Sequence, residues 1–382
     1  MAQETGDDTR QDGYRPQHAT RLVFWVFLLT IGAGVVFSAA ALARMGAPPR
    51  GSLRTGEWTA ALEREFDRAL PLYRPALYLW TALRFAAFAE GGPGLVVGTD
   101  DRLFTAEELE THPRDAERVE EAAAYITAVG HTLAEREAAL AVVLLPSKAR
   151  IYEDMLPGYG LPRTVDRRYE RAVAALRGER DPGTPKVTVV DPRGALRRAR
   201  QRGTEVFLRT DTHWTPEGAA AVARAVAGEV EGLLGRRDVP RTRFERAAAE
   251  TVTHRGDLLR FLPLGPFEAA IGPPADRLTR YETDAASGGS GDLFDDPAIP
   301  VTLVGTSYSA DELWGFRGAL AEALEADVLT VAAEGEGPFA PMEEYLRGET
   351  ITDQPPELVI WEIPERYLAA GLPAAARGRL DE

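Results

Sequence analysis

Apolar positions along this chain fall into three patterns, and each predicts a different kind of element. Residues 22 to 42, LVFWVFLLTIGAGVVFSAAAL, carry no charge. At ~1.5 Å per residue a helix of that length covers about 30 Å, the thickness of a bilayer's hydrocarbon core. The second pattern is helical periodicity. It predicts helices over EWTAALEREFDRALPLYRPALYLWTALRFAAFA, broken at Pro71 and Pro75, and over RVEEAAAYITAVGHTLAEREA, VDRRYERAVAALRGE and DPRGALRRARQRG. A further helix, PEGAAAVARAVAGEVEGLL, has Thr215 as its cap and Pro216 at its first position. The third pattern is a set of short apolar runs: ALAVVLL (139–145), KVTVVD (186–191), EVFLR (205–209), VTLV (301–304), DVLTVA (327–332) and ELVIWEI (357–363). Short strands separated by helices indicate an α/β fold, a parallel sheet covered on both faces. GLVVGTDDRLF (94–104) reads as a hairpin, and the Gly/Ser/Asp-rich YETDAASGGSGDLFDDP (281–297) as a mobile loop.

These patterns divide the chain into a tail (1–21), a transmembrane helix (22–42), a Pro/Gly/Arg linker (43–56) and one α/β domain (57–382). A cleaved signal peptide is the rival for the span, because Ala41-Leu42-Ala43 offers an A-x-A site. The apolar run is long for a signal core, and the tail before it is long and acidic, which favours an uncleaved anchor. Orientation is not set by charge: Arg10, Arg15 and Arg21 before the span balance Arg44, Arg50 and Arg54 after it.

Composition removes several classes of function. The net charge of −15 argues against a nucleic-acid partner. There is no cysteine, which excludes disulfides, thiolate metal sites and cysteine nucleophiles. Lysine occurs only at 148 and 186 in a chain otherwise rich in arginine, so each of the two stands out.

In an open parallel sheet, ligands bind beyond the carboxyl ends of the strands. Three loops leave predicted strands there: PSKARIY, TDTHW and GTSYS. Ser307, directly after a buried strand, is placed as a nucleophile; His213 would take its proton, and Asp211 would orient the imidazole. Each fragment alone also reads as an ordinary turn or a capping cluster; it is their occurrence together at strand ends that points to a site. Lys148 and Tyr152, in the loop after ALAVVLL, are candidate oxyanion or substrate contacts, as is Tyr308 beside the nucleophile. Trp361 and Arg366, near the last strand's end, are candidate substrate contacts (a sugar-stacking platform), with plain core packing as the alternative. Trp214 is expected to pack against the base. Of the other histidines, His18 precedes the span, His112 and His131 lie at or within a helix, and His254 with Asp257 forms a second polar cluster in THRGDLL. Asp211, His213, His254 and Asp257 could be drawn as a metal site, but no HExxH or comparable spacing supports one, and no metal is expected.

DTHWTPEGA and GTSYS together resemble the two signature blocks of the alginate O-acetyltransferase family of the AlgJ/AlgX type. LLPSKARIY, the GDLL at 256–259 and the closing VIWEIPERYL are similar to that family as well. The resemblance runs from about Glu57 to Leu368. It implies an SGNH-hydrolase-like sheet flanked by helices, with Asp211, His213 and Ser307 as the triad. One departure is Asp101-Arg102-Leu103-Phe104, where the family has Gly-Trp-Leu-Phe. No carbohydrate-binding module follows Tyr367, which is most similar to the AlgJ branch. The implied activity is acetylation of an exported polysaccharide through an acetyl-serine. It would take place at the cytoplasmic membrane with the catalytic domain outside, supplied by a multipass MBOAT-type acyltransferase and without a cofactor. A polysaccharide acetylesterase with the same triad and a non-catalytic envelope scaffold are the alternatives.

Overall fold

A computed structural model describes residues 17–46, 51–158, 160–178, 186–237, 239, 241–286 and 299–381. The chain divides into two compact units, Met1–Trp80 and Thr81–Glu382, with the boundary inside a helix. In the first, α1 (Gln17–Arg44) contains the apolar stretch Arg21–Arg44, of mean hydropathy 2.3 and largely exposed. It is followed by α2 (Glu57–Ala69) and the start of α3 (Tyr73–Phe88). The break falls at Pro71 as the sequence predicts, while Pro75 sits in the first turn of α3, where its missing N–H costs nothing.

The second unit opens with an antiparallel pair, β1 (Leu95–Val97) and β2 (Leu103–Thr105). Alternation follows: α4 (Asp115–Ala134), β3 (Ala139–Leu145), the one-turn α5 (Lys148–Ile151), α6 (Arg163–Arg177), β4 (Thr188–Val190), α7 (Arg193–Gln201) and α8 (Pro216–Arg236). A long hairpin, β5 (Phe244–His254) and β6 (Asp276–Ala285), interrupts the pattern before β7 (Val301–Gly305), β8 (Val328–Ala332) and β9 (Leu358–Pro364) complete the sheet. Its order is β4-β3-β9-β7-β8, and every pairing is parallel. This is the α/β sheet with flanking helices that the sequence predicts.

Alternation along the strands assigns side chains to two cores. Ala141, Val143, Leu145, Leu358 and Ile360 face α7, α8 and the helix Phe316–Leu324. Leu140, Val142, Leu144, Val359 and Trp361 face α4, α6 and the helix Phe339–Arg347. Burial on both faces explains why these strands read as continuous apolar runs.

Two expectations are corrected. EVFLR is not a strand of the sheet; Phe207 forms only an isolated bridge with Trp214. Its segment folds back on itself, with Leu208 N donating to His213 O and Thr215 N to Val206 O. Val206, Phe207 and Leu208 are apolar because they join the core, not because they pair in a ladder. The loop expected at 281–297 begins as the last half of β6, whose residues to Ala285 pair with β5; positions 287–298 lie outside the described residues.

Trp361 is no sugar platform. It is 0% exposed, donates Nε1–H to Pro338 O, and packs edge-on against Tyr125 and Phe339. Trp361→Ala is therefore expected to cost about 3–5 kcal/mol of stability, the loss typical of a truncated buried aromatic, measured by urea unfolding. Unchanged stability with weakened sugar binding would return Trp361 to the substrate.

Candidate active site

Adjacent strands β7 and β9 bring their carboxyl ends together, and β7 delivers Ser307 there. The strand ends at Gly305, Thr306 caps the one-turn helix Ser307–Ala310, and Ser307 is its first residue, half-buried. Gly305 is required by close approach: a Cβ there would meet Ser309 Oγ at 2.5 Å and Glu362 Oε2 at 2.7 Å. Glu362, fully buried on β9, accepts from Thr306 N (2.8 Å), Thr306 Oγ1 (3.0 Å) and Ser309 Oγ (3.1 Å). Burial pushes its carboxyl pKa up, and those three donors oppose the rise. The turn carrying the nucleophile is thus tied to the neighbouring strand at both ends.

His213 comes from the fold-back after residue 208. Its Nε2 lies 2.8 Å from Ser307 Oγ, and its Nδ1 lies 2.6 Å from Asp211 Oδ1. With Nδ1–H donating to the carboxylate, Nε2 keeps its lone pair toward the serine hydroxyl, the tautomer a general base requires. Asp211 is 2% exposed. Its Oδ1 also accepts His213 N (2.9 Å), and its Oδ2 accepts His254 Nε2 (2.7 Å) and Asp257 N (2.9 Å). Burial alone would raise its pKa; hydrogen bonds from His213 and His254 overcome that and hold it well below the usual carboxylate range.

Aromatic rings fix the imidazole. Trp314 stacks on His213 with centroids 5.0 Å apart and planes 14° apart, and His254 meets the same indole edge-on at 5.4 Å. Tyr308 lies 4.7 Å from the His213 ring and donates its hydroxyl to Thr212 O (2.6 Å). Trp214, expected against the base, instead packs on Tyr308 and Phe316. Asp257 holds the same loop by accepting from Thr212 N and Thr212 Oγ1, both at 2.9 Å. Gly256 lets the two loops touch, since a Cβ there would lie 2.0 Å from Thr210 O.

Lys148 does not face substrate. It is 1% exposed, and its ammonium donates to Leu103 O (2.5 Å), Arg209 O (2.9 Å) and Asp211 O (2.9 Å), which uses all three N–H groups. Burial, helped by Arg102, pulls its pKa down to about 7. Tyr152 is also remote from the chemistry: it is buried, with its hydroxyl on Glu205 and Val206 N and its ring beneath Arg102 and Arg200. Arg102, the departure from the family pattern, is itself buried and paired with Glu205. Arg366 does reach the catalytic edge. Its guanidinium lies 5.8 Å from the Tyr308 ring and 5.1 Å from that of Tyr367, and its buried Nε has no partner.

Donor atoms of Asp211, His213 and Asp257 lie within 4.8 Å of one another. Both oxygens of each carboxylate already accept N–H or O–H groups, so the cluster is built as a hydrogen-bond network rather than a cation cage. A cavity of about 830 Å³ lies between α5 and α7, lined by Arg150, Leu156 and Arg200, and Asp211, His213 and Ser307 take no part in it. His254, Asp257, Glu362 and Trp314 complete the site. THRGDLL marks the first two in the sequence, and Glu362 stands out as an acid within an apolar run. Trp314 carries no such signal.

Residues 95–365 match the family described as an SGNH hydrolase-like domain, acetyltransferase AlgX. The probable alginate O-acetylase AlgJ of Pseudomonas aeruginosa is 40% identical over 328 residues, 83% of this chain and 81% of that one. Among solved structures, the O-acetyltransferase domain of Pseudomonas putida AlgJ superposes with a TM-score of 0.66 at 33% identity, over 76% of this chain and 99% of that one. Pseudomonas aeruginosa AlgX shares the fold, with a TM-score of 0.57 at 22% identity over 75% of this chain and 66% of its own.

If Lys148 is a structural staple, Lys148→Met leaves buried carbonyls without donors. Each such loss costs on the order of 1–3 kcal/mol, so urea unfolding should show a clear drop in stability together with slower turnover. A slower enzyme of wild-type stability would restore Lys148 to the substrate.

Proposed function

The chain belongs to the AlgX-type family of SGNH hydrolase-like acetyltransferases, and from that premise we propose that it carries an acetyl group on Ser307 and passes it to a hydroxyl of an alginate-like polysaccharide. The observation that carries this reading is the continuous relay from Ser307 Oγ through His213 to Asp211, with spacings of 2.8 and 2.6 Å. A serine hydroxyl is a poor nucleophile at neutral pH unless a base accepts its proton as it attacks.

In the first half-reaction, Ser307 Oγ attacks the donor's acetyl carbonyl while its proton moves to His213 Nε2. Asp211 stabilises the imidazolium across Nδ1–H, and the proton then passes from Nε2 to the departing donor group, leaving acetyl-Ser307. In the second, a sugar hydroxyl attacks that ester and gives its proton to Nε2; the proton returns to Ser307 Oγ as the bond to the acetyl group breaks. The Ser307 N–H opens its helical turn, where no intrahelical acceptor exists, and is the candidate donor to the developing oxyanion. Thr306 N is committed to Glu362 and takes no such part. Arg366 supplies a cation at the same edge, suited to an acidic sugar.

The uncharged stretch 22–42 of α1 supports a single-pass anchor. With it we place the catalytic unit on the outer side of the cytoplasmic membrane and assign acetyl supply to an MBOAT-type acyltransferase. Support for both is the family resemblance.

The test uses the full chain in detergent with an activated acetyl ester, read by peptide mass spectrometry. Wild type should acquire acetyl on Ser307; Ser307→Ala should not, and His213→Ala should label at least about a hundredfold more slowly. Equal labelling of wild type and Ser307→Ala would refute the assignment of the nucleophile. Adding an oligouronate should move acetyl to sugar; release to water alone would make the protein an esterase.

A further inference from the structure

We infer that His254 is a positioning residue of the acyl-transfer site, sharing Asp211 with the base so that its own proton sets how much of the carboxylate's charge His213 feels. The inference rests on the proposed roles of Ser307 and His213 and adds a group that the relay itself does not include.

The geometry is bidentate. Asp211 offers Oδ1 to His213 Nδ1 at 2.6 Å and Oδ2 to His254 Nε2 at 2.7 Å. Trp314 touches both imidazoles, stacked on one and edge-on to the other. His254 ends β5 opposite Asp276 on β6, so the hairpin that departs from the αβ alternation delivers the second histidine to the site.

Its surroundings are mostly anionic. Asp211 lies against it, Asp276 faces it from β6 and Asp311 from the segment after the nucleophile; Asp257 is close on its own loop. Cationic neighbours are committed elsewhere: Arg255 pairs with Glu268, and Lys148 with three carbonyls. The hydrogen bond to Asp211 raises the pKa of His254, burial opposes the rise, and Asp276 and Asp311 add to it.

The consequence is electrostatic. A charged His254 neutralises part of Asp211, so the carboxylate stabilises the His213 imidazolium less in the transition state. A neutral His254 still donates Nε2–H, which keeps the carboxylate in place while leaving its charge to His213. Protonation of His254 is thereby felt at the base through the carboxylate that both imidazoles share.

Sulfonylation of Ser307 by methanesulfonyl fluoride reads this directly, because it needs the nucleophile and base but no sugar. The full chain in detergent is assayed from acid to mildly alkaline pH. Wild type should lose rate toward acid in two steps, one of them the protonation of His254. His254→Gln keeps a donor to Asp211 but cannot titrate; it should lose rate in one step and match wild type within about threefold on the alkaline plateau. His254→Ala removes the donor and should be slower by about ten- to a hundredfold through misplacement of the base.

Stability supplies a second readout. A histidine whose folded pKa is raised stabilises the fold fully below its unfolded value near ~6.5, and this contribution is lost as pH rises through the raised value. The stability advantage of wild type over His254→Gln should therefore be largest in acid and fade in alkali. Superimposable rate profiles for wild type and His254→Gln would overturn the inference, as would a wild-type rate in His254→Ala. If the alanine variant fails to fold, the glutamine profile decides alone. Wild type that gains no sulfonyl group on Ser307 overturns the nucleophile and this inference together, whereas labelled wild type with a single-step profile overturns only this inference.

Discussion

A buried carboxylate that accepts from two histidines is the constraint on which the site is built. Removing an ionised aspartate from water is costly unless donors replace the water. Asp211 receives them from His213 N and Nδ1, His254 Nε2 and Asp257 N. Each donor belongs to a segment that must arrive at the right place: the fold-back after residue 208, the end of the β5 hairpin arm and the THRGDLL turn. The catalytic tautomer of His213 is thus a consequence of solvating Asp211 with protein.

The same economy recurs around the sheet's carboxyl edge. Lys148 binds three carbonyls, one of them that of Asp211. Glu362 binds the turn that presents Ser307. Glu365 holds Arg150 bidentately, at 2.8 and 2.6 Å, and accepts Ser147 N, which joins the end of β9 to that of β3. Buried pairs of this kind contribute little net stability, yet breaking one partner leaves an uncompensated charge. They hold a small set of loops in one arrangement, which acyl transfer through a short relay requires.

Much of this was legible in the sequence, for physical reasons. Strands buried on both faces are mostly apolar, so β3, β7 and β9 stand out in the chain. Asp211, His213 and Ser307 could be placed because strand-end loops of a parallel sheet converge. The β5–β6 hairpin was not legible, since it buries almost none of its side chains and no apolar alternation marks it. EVFLR misled because burial beneath α8 and beside Tyr152 selects the same residues as a ladder does. The rarity of lysine singled out Lys148 correctly as unusual. Its direction depends on residues 103, 209 and 211, which only the tertiary fold brings together. The fixing of the base by Trp314 rather than Trp214 is likewise a property of packing.

The claim at the centre of this account is that acetyl-Ser307 is an intermediate and not a side product. Single-turnover transfer tests it most directly: enzyme carrying isotope-labelled acetyl on Ser307 is freed of donor and mixed with an oligouronate. Loss of label from the serine and its appearance on a sugar hydroxyl should then share one rate constant, at least as fast as steady-state turnover. Sugar acetylated only when donor is present, with the serine ester persisting unchanged, would contradict it.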